Sequence, residues 1–183
     1  TWNAVLTIDE NTGVTDVVMD PRDPDTLVAA SYQRRRQVFT LIDGGPGSGV
    51  HKTTDGGKTW KKVASGLPKE EMGRIGLAIA PTEPDTLYAL VETAAANKAG
   101  GTFRSTNRGE TWEKQGDYLP GGPTYYHEIF VDPYRPDTIY SMNVNVERST
   151  DGGKTWERTN WENYGGSGMN VHVDHHHLTF DPT

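Results

Sequence analysis

One octapeptide occurs three times in the 183 residues, as TTDGGKTW at 53–60, STNRGETW at 105–112 and STDGGKTW at 149–156. Recurrence at a fixed period constrains a fold more than any local propensity, because each copy must stack on its neighbours to bury an apolar face. A second motif alternates with the first: MDPRDPDTLVAAS, IAPTEPDTLYALV and VDPYRPDTIYSMN. Its prolines Pro21, Pro81 and Pro133, with Pro182 in a fourth copy FDPT, are spaced by 60, 52 and 49 residues.

That spacing is slightly above the length of a four-stranded propeller blade. Within each period, VTDVVMD, RIGLAIA or HEIFVD reads as a first strand, the Pro-Asp turn follows, and TLVAAS, TLYALV or TIYSMN reads as a second. Short third and fourth strands flank the octapeptide. The expected fold is all-β, a β-propeller segment of four-stranded antiparallel blades at 14–64, 74–115 and 125–159. Residues 1–13 are expected to end a preceding blade and 175–183 to begin a next one. TWNAV at the start aligns with the close of an octapeptide, so the expectation is a piece of a larger propeller whose remainder lies in other sequence. Composition agrees: 21 Gly and 11 Pro with 33% hydrophobic residues suit a turn-rich β chain.

In the octapeptide, the Asp accepts hydrogen bonds from its own turn, the glycines permit positive φ, and the Trp anchors the hairpin. Asp55, Trp60, Asn107, Trp112, Asp151 and Trp156 are therefore structural positions, the middle copy carrying Asn107 and Arg108 where the others have Asp and Gly. These residues resemble the Asp-box of BNR-type propellers, found in sialidases, in sortilin-like proteins with a Vps10 domain and in xyloglucan-hydrolysing glycosidases. The chain is most similar to large bacterial sortilin-like propellers often labelled glycosyl hydrolases. That resemblance implies a secreted or cell-envelope location.

Function belongs to the parts that do not repeat. From the Pro to the octapeptide Asp or Asn is 34, 26 and 18 residues in successive blades, and the variation falls in second-to-third connections such as YQRRRQVFTLIDGGPGS. Those loops share an end with the first residues of each innermost strand: Val14 to Asp16, Arg74 to Gly76, Tyr126 to Glu128 and His175 to His177. Asp16, Arg74, Tyr126, His127, Glu128, His172, Asp174, His175 and His177 are thus the candidate ligand-binding residues around a channel mouth, opposite the octapeptides. Aromatic and polar groups in a concavity suit a sugar or peptide.

Several motifs carry less than they suggest. HVDHHH places His175 and His177 on one strand face, which supplies two metal ligands at most, so no metal and no cofactor is assigned. GGPGSGVHKTT lacks the phosphate-loop spacing and leads into a strand, not a helix. Arg34, Arg35 and Arg36 are consecutive, so they cannot converge as a sialidase arginine triad does. They are expected in a solvated loop. A net charge of −7 with scattered basic residues excludes a nucleic-acid track, no apolar run approaches the roughly 20 residues of a membrane span, and without cysteine there is neither disulfide nor thiolate chemistry.

Two functions are open. The favoured expectation is a non-catalytic sortilin-like scaffold binding a protein, peptide or carbohydrate. The alternative is a glycoside hydrolase, which needs two carboxyl groups about 5 to 9.5 Å apart, with Asp16, Glu128 and Asp174 as candidates. The resemblance to xyloglucan hydrolases is imperfect here, since their acidic residue soon after the second strand is replaced by SYQRRR.

Overall fold

The structure is a computed structural model that describes residues 1–94, 99–122, 124–159 and 175–181. Among these residues every regular element is a strand. Three antiparallel sheets succeed one another along the chain. The first contains β1 (Thr12–Asp20), β2 (Asp23–Arg36), β3 (Leu41–Asp43), β4 (Gly49–Thr53) and β5 (Lys61–Val63). The second runs β6 (Met72–Ile79), β7 (Leu87–Thr93), β8 (Gly101–Ser105) and β9 (Glu113–Gly116). The third runs β10 (Glu128–Val131), β11 (Ile139–Met142), β12 (Val146–Ser149) and β13 (Glu157–Arg158). In the second and third sheets the strand order follows the chain, each strand pairing with the next, which is the meander of a propeller blade.

Alternation along each strand puts one apolar row on each side of the sheet, so a middle blade is covered twice. Toward the first sheet, Ile75, Leu77, Leu87, Ala89, Val91 and Phe103 pack with Val28, Ala30 and Val50. Toward the third, Ala78, Ala80, Tyr88 and Leu90 pack with Ile129, Val131 and Ile139. Innermost strands approach closely at Gly76, where a Cβ would lie 2.0 Å from the His127 carbonyl oxygen, so only glycine fits.

All three octapeptides fold alike. Asp151 accepts hydrogen bonds from the Thr155 amide (2.9 Å) and hydroxyl (2.6 Å), and Asp55 does the same with Thr59. Asn107 accepts from the Thr111 amide at 3.0 Å and donates its own side-chain amide to the Thr111 hydroxyl at 2.9 Å. The opening hydroxyls of Thr53, Ser105 and Ser149 complete each turn by accepting the second glycine's amide. Each turn is also tied to the preceding Pro-Asp turn, through amides donated to the carbonyls of Asp25, Asp85 and Asp137. Arg108 adopts φ 58°, a left-handed conformation that favours glycine. Its guanidinium reaches Asp85 at 3.0 Å and Asp20, on the neighbouring blade, at 3.5 Å, which offsets the strain.

Two elements differ from expectation. The arginine-rich insertion is not a loop: β2 continues to Arg36 and turns back as β3, pairing Arg34 with Asp43 and Arg36 with Leu41. Alternating side chains on both arms, closed by a Gln37 amide to Thr40 carbonyl bond of 2.8 Å, make it a projecting hairpin. Residues 1–11 and 175–181 form no strand. Strands require a paired neighbour, and in this segment the His175 amide bonds the Asn143 carbonyl at 2.9 Å.

Candidate functional site

The starts of β1, β6 and β10 converge with residues 177–181 around a cavity of about 700 Å³. Its walls are largely apolar, with Val18, Ile79, Phe130 and Leu178 among them, while Asp16, Arg74 and Glu128 supply charge. Asp16 accepts a 2.7 Å hydrogen bond from the Leu77 amide, bridging the innermost strands of the first two blades. Burial raises its carboxyl above the ordinary aspartate value, outweighing the Leu77 bond and the attraction of Arg74. Arg74 forms an ion pair with Glu128 (3.1 Å) and donates to the Thr124 carbonyl (3.4 Å). Glu128 also accepts the His127 amide at 3.0 Å and has the His176 ring nitrogen 3.8 Å away. Two carboxyl groups in different settings, one desolvated and one paired with a guanidinium, therefore share the cavity mouth.

The other sequence candidates distribute unevenly. Tyr126 stacks in a tilted arrangement between His176 (5.1 Å) and Tyr125 (6.3 Å), and His177 meets the edge of Phe130 at 5.4 Å. His175 is half-buried and His177 exposed. His127 borders the same cavity but is only 1% exposed, and its ring nitrogen bonds the Leu90 carbonyl at 2.8 Å, in the layer between the second and third blades. Strand alternation accounts for this, since Glu128 beside it points the other way. Burial holds His127 down to about 4. His172 and Asp174 lie outside the described residues. Among those described, no group of three or more His, Asp or Glu residues could hold a metal ion.

Sequence reasoning missed Glu92 and Asp43. Glu92, at the end of β7, accepts the Arg74 amide at 3.1 Å, and burial raises its carboxyl. Asp43, on the returning arm of the hairpin, accepts from Thr124 (2.5 Å) and from the Tyr32 hydroxyl. Second strands end at the same face where first strands begin, so counting forward from the Pro-Asp turn would have found Glu92. The unrecognised hairpin hid Asp43.

Stacked four-stranded sheets with their inner strands around one cavity define a propeller-like protein built on Asp-box repeats. The BNR/Asp-box repeat family matches residues 51–62, 103–114 and 147–158, one for each octapeptide. The xyloglucanase Xgh74A of Acetivibrio thermocellus is 31% identical over an alignment covering 79% of this chain and 19% of the relative. The solved GH74 xyloglucanase of Xanthomonas campestris superposes with a TM-score of 0.55 at 24% identity, covering 86% of this chain and 22% of that one. YCF48 from Cyanidioschyzon merolae gives 0.53 at 16% identity, over 81% of this chain and 37% of that one. These structures share the fold. The chain spans about one fifth of the length of the curated relative.

The expectation of a non-catalytic, sortilin-like scaffold is corrected by these matches. The relatives are xyloglucanases, which favours the glycoside hydrolase alternative. The acidic residue missing from the first blade does not outweigh this similarity.

Proposed function

We propose that the chain is part of a xyloglucan-hydrolysing glycosidase of the propeller type, the remaining blades belonging to other sequence, and that the cavity mouth carries its chemistry. The observation that supports this most is the similarity to xyloglucanases over 79% of the chain. In this reading Asp16, kept protonated to higher pH by burial, gives its proton to the glycosidic oxygen as the bond to the anomeric carbon breaks. Glu128, oriented by Arg74, takes the proton of the attacking water or attacks the anomeric carbon itself. Glu92, which accepts the Arg74 amide, helps to fix the strand that carries the arginine. Tyr126, His175 and His177 bind sugar, while His127 acts only through packing. A polysaccharide does not cross a bilayer, so the enzyme works in a secreted or cell-envelope setting. Among the described residues, no helix is long and apolar enough to cross a membrane.

The test is release of reducing ends from soluble xyloglucan by the full-length protein. Asp16→Asn and Glu128→Gln should each lower the rate by about 100-fold or more, the scale of a lost general acid or base. Wild-type protein without activity, or either variant at full rate, contradicts the proposal.

A further inference from the structure

The hairpin formed by the end of β2 and by β3 closes in a loop whose apolar side chains stand in solvent. Val38 is 105% and Phe39 83% exposed, and Leu41 and Ile42 just behind them are exposed as well. Apolar side chains gathered on one projection mark a contact with a protein or a membrane. The next level back is basic. Arg34, Arg35 and Arg36 meet no carboxylate among the described residues, whereas Arg22, Arg74, Arg104, Arg108 and Arg148 each do so at 3.1 Å or less. Arg35 donates to the Asn11 side-chain carbonyl (2.9 Å) and Arg36 to the Tyr125 hydroxyl (3.4 Å), both neutral groups. Glu10 borders the same surface as Arg34 and Arg35 without an ion pair to either. Asp43, the acidic residue of the hairpin, is turned to its base, where it accepts from Tyr32 and Thr124. Uncompensated guanidinium groups in a chain of net charge −7 mark a place that receives an anion.

Cross-strand pairing decides which residues share a face. Arg36 lies opposite Leu41 and Arg35 opposite Ile42, so each face of the hairpin carries an arginine beside an aliphatic residue. The hairpin is therefore polarised along its length, apolar tip first and cationic collar behind, and not from face to face. A protein seated on one face would leave the other uncovered, while a bilayer closes around an inserted tip on all sides. We infer that the hairpin is a peripheral membrane anchor: Val38 and Phe39 enter the interface of an anionic bilayer, and Arg34 to Arg36 sit among the lipid phosphates. Phe39 is two residues from Leu41 and three from Ile42, so at about 3.3 Å per residue the arginine level stands about 7 to 10 Å behind the tip. That is the depth to which interfacial segments sink. The base is fixed to β6 by the Gly45 amide on the Met72 carbonyl (3.0 Å), so little ordering is required on contact. The acidic remainder of the chain is repelled by the same surface, which turns the hairpin toward it and keeps the attachment reversible. The inference goes beyond the glycosidase reading and does not depend on it.

Co-sedimentation of the full-length protein with vesicles tests the anchor, using phosphatidylcholine alone and phosphatidylcholine with an equal part of phosphatidylglycerol. Binding should favour the anionic vesicles and weaken with added salt. Val38→Ser combined with Phe39→Ser should lower the partition coefficient about tenfold or more, the scale of apolar side chains withdrawn from a membrane. Arg35→Gln should lower it about fivefold, the scale of one cation at an anionic surface. All three side chains are exposed, so thermal unfolding should not change. Loss with Arg35→Gln but full binding by the tip variant means attraction to a polyanion without insertion, and overturns the anchor. Binding that neither variant alters places the membrane contact elsewhere and contradicts it too. Wild-type protein that sediments with neither vesicle overturns it outright. If sedimentation velocity then shows association that the tip variant abolishes, the tip is a contact between proteins.

Discussion

Acid should loosen the contact between the second and third blades through His127. The imidazole is enclosed against the Leu90 carbonyl, and desolvation is the main reason its value falls to about 4. An unfolded chain binds a proton there near pH 6.5, so between 6.5 and 4 the unfolded state carries more protons than the folded one. The stabilisation is therefore complete above pH 6.5 and is lost as pH falls toward 4. The gap between those two values corresponds to roughly 3 kcal/mol, most of which should be gone by pH 4.5. His127→Gln retains a hydrogen-bond donor for Leu90 but cannot take up the proton. Urea unfolding followed by tryptophan fluorescence at pH 7 and pH 4.5 isolates the effect. Wild-type stability should fall by about 2 kcal/mol or more beyond the fall in the variant. His51, also lowered by burial, and Asp16, raised by it, are present in both proteins and cancel in the difference. Parallel losses in the two proteins refute the argument.

Asp151→Ala should cost about 1 to 3 kcal/mol, because three bonds from Thr155 and Lys154 lose their acceptor in a turn that water partly reaches; calorimetry of the two proteins measures it. Burial opposes ionisation of Asp151, but the bonds from Thr155, Ser149 and Lys154 outweigh it and hold the carboxyl at about 2. The cost should therefore be present above pH 4 and shrink as pH falls toward 2. Gly76→Ala should destabilise by about 3 kcal/mol or more through overpacking, since the new methyl group meets the His127 carbonyl; denaturant midpoints report it. Arg108→Gly should change stability by less than about 1 kcal/mol, the relief of a left-handed residue offsetting exposed ion pairs to Asp85 and Asp20; the same midpoints decide it.

Repetition made the blades readable before any coordinates, because three octapeptides and three Pro-Asp turns must occupy equivalent places in equivalent sheets. Strand counting from the prolines then put Asp16, Arg74 and Glu128 at one mouth, where the structure also has them. It did not distinguish His127, whose ring bonds the Leu90 carbonyl, from Glu128, because a single step along a strand turns a side chain to the other face and position alone does not reveal which of two neighbours points where. The β2–β3 hairpin was unreadable for another reason. Arg34 to Arg36 followed by Gln37 shows no apolar alternation, and the strand there is held by backbone pairing and by Asp43, which receives bonds from Tyr32 and Thr124. The function was misjudged through one position: the acidic residue sought after the second strand of the first blade is absent, while Glu92 ends the second strand of the next.

The most direct measurement is a crystal structure of the full-length Asp16→Asn protein with a xyloglucan oligosaccharide. A glycosidic oxygen within hydrogen-bonding distance of residue 16, with Glu128 on the other side of the same sugar ring and Tyr126 against the sugar, is the predicted result. An oligosaccharide seated away from the mouth formed by β1, β6 and β10 contradicts the assignment of that mouth as the site of hydrolysis.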